Sequence, residues 1–93
     1  MIPEEVKRSE MINFQKRTLR TKAEDKKKSA QEKFKQGDLI GAKNDLLDAR
    51  NYIQGALKMV RSLGESGISE HSIQDDIETL WRKVIEEEQK KSK

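Results

Sequence analysis

His71, the only histidine in the chain, is the first residue to consider for chemistry. If it lies on a helix, Asp75 and Glu78 follow at i+4 and i+7 on the same face, a spacing able to approach a metal ion. The same residues are also typical of a solvated helix start, where the helix dipole favours carboxylates. We favour the second interpretation and predict no metal site.

Catalytic motifs are absent from the sequence. There is no cysteine, which excludes thiol nucleophiles, zinc–thiolate sites and disulfides. No paired histidines, nucleophile–base set or glycine-rich phosphate loop occurs either. We therefore predict a non-enzymatic protein without a cofactor, although chemistry by carboxylates alone stays open.

A basic cluster in the first third of the chain is a candidate for electrostatic binding. Residues 1–35 carry eleven Lys and Arg against six Asp and Glu, whereas residues 68–93 carry five against seven. The candidate polyanion-binding residues are Lys16, Arg17, Arg20, Lys26, Lys27 and Lys28. They could neutralise the phosphates of a nucleic acid or an anionic membrane. We favour a solvated or bundle-flanking role, because on the helical wheel Lys16, Arg20 and Lys27 flank one side of the apolar stripe and Arg8, Lys26 and Lys33 flank the other. In addition, no aromatic residues for base stacking are interleaved with them.

Glycines and one proline divide the chain into three helical stretches. The first runs from about Pro3 to Gln36, either as one continuous helix, which we favour, or with a break near Thr21, where a capping box fits. Its narrow apolar stripe comprises Ile12, Leu19, Ala23, Ala30 and Phe34. Gly37 ends this helix, and Asp38 can cap the next.

The second stretch carries the strongest pattern in the sequence. Its apolar residues alternate three and four apart through four heptads: Leu39, Ala42, Leu46, Ala49, Ile53, Ala56, Val60 and Leu63. The alanines predict close approach of a neighbouring helix. A third helix, capped by Ser69 or Ser72, has the seam Ile73, Ile77, Leu80 and Val84.

Short loops between these helices predict an all-α, antiparallel three-helix bundle with a long first helix. We divide it into an N-terminal helical extension (1–20), the bundle (21–90) and a charged tail (91–93). The first helix would be about 50 Å long and the second only about 39 Å. The uncovered segment carries four large apolar residues scattered around the wheel, Ile2, Val6, Met11 and Phe14. It could fray, fold back, or pack on another copy or a partner, and we favour the last.

Leu47, Trp81 and Ile85 are apolar residues beside the main seams. They could form a groove for a partner helix or peptide, or they could be ordinary core, since a three-helix core needs wide apolar faces. We predict a helical protein–protein interaction or adaptor module that could also self-associate. The alternative is a nucleic-acid-binding accessory protein that uses the basic first helix.

Residues 23–88 contain a recurring pattern of small and apolar residues around a Gly-Asp turn: Lys28-Ser29-Ala30, Gly37-Asp38-Leu39-Ile40-Gly41-Ala42, Leu46, Ala49, Tyr52, Ala56-Leu57-Lys58, Ile73, Leu80 and Lys83. This pattern resembles that of the MIT domain, the microtubule-interacting and trafficking three-helix module. The resemblance implies binding of a short peptide in an inter-helix groove, without catalysis. The Gly-Asp turn and the spaced alanines are equally compatible with a tetratricopeptide hairpin.

The sequence also bears on location. No apolar run approaches the length of a membrane span, and the first residues lack the basic and apolar regions of a signal peptide. Together with the absence of cysteine, these features favour a cytoplasmic location.

Overall fold

The computed structural model describes residues 4–91, with side chains from residue 7 onwards. The described residues form three helices and no strand: α1 (Glu4–Lys35), α2 (Leu39–Leu63) and α3 (Ile68–Lys91). The molecule is elongated, measuring 64 × 19 × 14 Å. The fold is therefore all-α with three helices and a long first helix, as the sequence predicts.

Helix α1 passes through Thr21 without a break, so the continuous alternative is confirmed. Its small residues Ala23 and Ala30 are fully buried, and Leu19 and Phe34 pack partly against the core. The predicted boundary at residue 20 falls inside this helix. Residues 1–3 and 92–93, and the side chain of Val6, lie outside the described part of the chain.

The order of contacts along α1 gives the direction of the other two helices. Helix α2 runs antiparallel, because Lys33 pairs with Asp45 near the turn while Lys22 lies over the Tyr52 ring farther away. Helix α3 runs parallel to α1, because Arg20 pairs with Glu70 and, one to two turns further along both helices, Lys27 pairs with Asp76.

The core follows the predicted seams closely. In α2 the buried apolar residues are Ala42, Leu46, Ala49, Ile53, Ala56 and Val60 of the seam together with Leu57 beside it, while Leu39 and Leu63 of the seam are only partly buried. In α3 they are Ile73, Ile77, Leu80 and Val84. Five of the core residues are alanines with no exposed surface, which lets the backbones of α1 and α2 approach closely.

The turn between α1 and α2 is also as the sequence predicts. Gly37 adopts the left-handed conformation at φ 84°, and the Asp38 carboxylate accepts a hydrogen bond from the Gly41 N–H at 2.9 Å.

The predicted cap of α3 was wrong. The helix begins at Ile68, and both Ser69 and Ser72 lie inside it. The His71 N–H donates to the Gly67 carbonyl at 2.9 Å, so Gly67 occupies the position before the first turn. The cause is a contact between distant parts of the chain, because the loop before α3 packs closely against α2 at Gly67.

Gly67 is expected to tolerate no side chain. Its φ is 68°, and an added Cβ would lie 2.8 Å from Val60 Cγ1. Gly67→Ala should therefore lower the free energy of unfolding by about 1–2 kcal/mol for the left-handed backbone, plus the cost of displacing Val60. Gly64→Ala is the matched control, because Gly64 has φ 70° with nothing within 4 Å of an added Cβ. Equal losses in urea unfolding would show that the Val60 contact costs nothing.

Candidate functional site

Four of the six candidate polyanion-binding residues pair with carboxylates of the bundle. The ion pairs are Lys16–Glu65 (2.9 Å), Arg20–Glu70 (3.5 Å), Lys27–Asp76 (3.3 Å), and Lys26 with both Asp45 (3.8 Å) and Asp48 (3.5 Å). Arg17 and Lys28 are exposed and make no ion pair within residues 7–91. The basic cluster therefore lies mainly along the edges of α1 where it meets the other helices.

Asp45 is a buried carboxylate held between two lysines of α1. Only 5% of its surface is exposed, and Lys33 Nζ lies 3.0 Å from its Oδ2. Burial by itself raises the pKa of Asp45. A hydrogen bond with Ser29 and the charges of Lys33 and Lys26 outweigh that effect and hold the pKa below its ordinary value. This arrangement joins α1 to α2 and leaves the carboxylate no opening toward a substrate.

The lowered pKa of Asp45 makes the stability of the fold depend on pH. The carboxylate stabilises the fold fully above its unfolded pKa of about 3.9 and loses this contribution as the pH falls through the folded pKa. We expect Asp45→Asn to be less stable than the wild type at pH 7. Urea unfolding should also show a shallower loss of stability for this variant from roughly pH 5 to pH 2.

Asp48→Asn is the control for this measurement, because Asp48 faces the same Lys26 but is more than half exposed. The stability of Asp48→Asn should fall with decreasing pH as steeply as that of the wild type. If the free energy of unfolding of Asp45→Asn fell with pH as steeply as that of the wild type, the role assigned to Asp45 would be contradicted.

The three candidate partner-binding residues lie along one stretch between α2 and α3. Its two ends are marked by ion pairs between the helices, Lys43–Glu88 at 3.0 Å and Arg50–Glu78 at 2.9 Å. Leu47 lies between these pairs on α2, and Trp81 and Ile85 lie between them on α3. This register places the three at the same level of the bundle.

The protein's own side chains cover part of this α2–α3 stretch. The Arg50 guanidinium carbon lies 4.9 Å from the centroid of the Trp81 ring, within cation–π range. Trp81 also packs against the core, while Leu47 is 43% exposed. This stretch is thus an edge of the core that the charged side chain of Arg50 partly covers.

The outer face of the first half of α1 is more open. Met11 is 63% exposed and Phe14 72% exposed. They share a shallow surface with Lys7, Glu10 and Gln15. A neighbouring depression continues from Phe14 to Leu19 and to Met59 of α2. The apolar residues of this segment looked scattered in the sequence, but the i, i+3 spacing of Met11 and Phe14 was a usable indication of a shared face.

His71 is exposed in the third helix and borders a depression with Lys58 and Arg61 of α2. Among residues 7–91, no three histidine or acidic side chains gather in a way that could hold a metal ion. Nor does any helix in this part of the chain combine the length and apolar character that crossing a membrane requires.

No protein family model, curated protein or solved structure matches this chain. The resemblance to the MIT domain therefore stays a prediction.

Proposed function

We propose that this protein is a non-enzymatic interaction module that binds another protein molecule through the outer face of the first half of α1. The observation that carries the proposal is the exposure of Met11 and Phe14, which are adjacent on one helix face. Contiguous exposed apolar surface on a soluble domain is typical of an interaction site. A partner that covered both side chains would remove their unfavourable hydration.

The position of this face along α1 supports the proposal. Lys16 is nearly buried and pairs with Glu65 in the loop after α2, so the bundle covers α1 from about that point onwards. Most helix stability comes from packing rather than intrinsic propensity. A partner along the segment before Lys16 would therefore stabilise a part of α1 that α2 and α3 leave open.

The α2–α3 stretch around Leu47 is a weaker candidate for the same function. Opening it for a peptide would require Arg50 to leave both the Trp81 ring and Glu78. The outer face of α1 needs no such rearrangement, because Met11 and Phe14 already face water.

The bundle engages most of the candidate cations of the nucleic-acid alternative. Four of the six candidate residues form ion pairs with carboxylates of the bundle, which leaves Arg17 and Lys28 of this set for phosphates. We expect no gel shift of duplex DNA or RNA at low salt. A salt-sensitive shift that Arg17→Gln and Lys28→Gln remove would favour the nucleic-acid function instead.

A photo-crosslinking experiment tests the proposed function directly. Phe14→benzoylphenylalanine and, as the comparison, Leu47→benzoylphenylalanine are produced in the cells that make the protein and irradiated there. We expect a discrete protein adduct from position 14 and none from position 47. An adduct from position 47 alone would move the site to the α2–α3 stretch, and adducts from neither position would contradict the proposal.

A further inference from the structure

We infer that the outer face of α1 binds a second copy of the chain, with the two α1 helices antiparallel. This inference rests on the proposed function and names its partner. The spacing of four residues, the charges beside them and the room that the bundle leaves around this part of α1 all favour a second copy.

The spacing along the outer face is that of a short coiled-coil seam. Lys7, Met11, Phe14 and Thr18 follow one another at intervals of four, three and four residues, which keeps them on one side of a helix. Antiparallel alignment that places Met11 opposite the partner's Phe14 also places Lys7 opposite the partner's Thr18. The centre of the contact then consists of two sulfur–aromatic pairs, a favourable combination.

Charges beside this seam complement one another in the antiparallel arrangement. Glu10 and Arg17 are seven residues apart on the same flank, both are exposed, and neither makes an ion pair within residues 7–91. In antiparallel coiled coils this flank faces the same flank of the other helix. The register set by Met11 and Phe14 therefore brings Glu10 to the partner's Arg17, and the twofold symmetry repeats this pair.

A parallel pair would have the opposite electrostatic character. In a parallel pair, each residue on the flank of Glu10 would face a residue on the opposite flank of the partner helix, five positions further along the partner's sequence. Arg17 would meet the partner's Lys22, and Glu10 would meet the partner's Gln15. Two repulsions and no attraction result, so the charge pattern selects the antiparallel orientation.

The bundle leaves room for this contact. The buried face of α1, which includes Ala23 and Ala30, packs against α2 and α3, whereas Met11 and Phe14 are mostly exposed and Phe14 borders α2 near Met59. Two molecules 64 Å long that overlap over roughly 27 Å of helix form a dimer about 100 Å long. The contact is short, so we expect a dissociation constant in the micromolar range, of the order of 10 to 100 μM.

Sedimentation equilibrium of the full chain, from about 5 to 500 μM, tests for the second copy. We expect a monomer–dimer equilibrium. Phe14→Gln should raise the dissociation constant more than roughly 100-fold, because each dimer loses two buried aromatic side chains. Ile40→Gln is the matched control, since Ile40 is 73% exposed on α2, and it should leave the equilibrium unchanged.

Charge reversal tests the orientation. In an antiparallel pair, Glu10→Arg and Arg17→Glu should each weaken self-association roughly tenfold, since each replaces two attractions by two repulsions. An equimolar mixture of the two variants should associate more tightly than either alone, because every cross-pair is again of opposite charge. If Arg17→Glu strengthened self-association, the helices would be parallel and the antiparallel inference overturned.

The two proposals can fail separately. A monomer at every concentration, with a crosslink from position 14 to a different protein, would overturn the second copy and leave the interaction function standing. A monomer without any crosslink from position 14 would overturn both. A concentration-dependent dimer that Phe14→Gln leaves intact would show self-association through another surface and would overturn the assignment to this face.

Discussion

Ile53→Ala is expected to lower the free energy of unfolding by about 2–5 kcal/mol, the range for removing a large aliphatic side chain from a core. Ile53 has no exposed surface and belongs to the hydrophobic cluster to which α1, α2 and α3 all contribute. The smaller side chain loses transfer free energy and leaves a cavity between the helices. A domain of this size has a stability of only about 5–10 kcal/mol, so the variant should be close to unfolding at 37 °C.

Ile40→Ala is the matched control for Ile53→Ala. It makes the same chemical change in the same helix, but Ile40 is 73% exposed. Alanine is the better helix former, so this variant should match or slightly exceed the wild type. Urea unfolding followed by circular dichroism measures both. Equal losses at the two positions would contradict the core described for α2.

The contrast between Ile53 and Ile40 shows how much of the fold the sequence predicts. The three-and-four alternation through α2 places Ile53 on the seam and Ile40 off it, and their burial agrees. The spacing of apolar residues identifies the buried face of a helix, so it predicts burial wherever a regular helix packs along its whole length. The start of α3 was missed for the opposite reason. Gly67 sits there because Val60 is close in space, and no local capping pattern contains that contact.

For the candidate surfaces too, the sequence predicts what helical spacing determines but not the contacts between residues far apart in the chain. Helical spacing correctly put basic residues beside the apolar stripe of α1. It could not pair Lys16 with Glu65 or Arg20 with Glu70, which are 49 and 50 residues apart. These pairs decide how many cations stay available to an anionic partner.

The small residues between α1 and α2 set the distance between these helices, so the core should resist enlargement as strongly as it resists truncation. Ala49 has no exposed surface, and the alanines of α1 belong to the same cluster. Ala49→Leu adds three carbon atoms where the backbones are close. The helices must separate or the leucine must leave its preferred rotamer, at a cost of about 3 kcal/mol.

Thermal unfolding by calorimetry should show this cost as a midpoint roughly 12–20 °C lower for Ala49→Leu. Asn51→Leu is the control, because it introduces the same side chain two residues along the same helix at an exposed position. Leucine has the higher helix propensity there, so the midpoint should hold or rise slightly. A wild-type midpoint for Ala49→Leu would mean that α1 and α2 have space between them, and the close packing attributed to the alanines would be wrong.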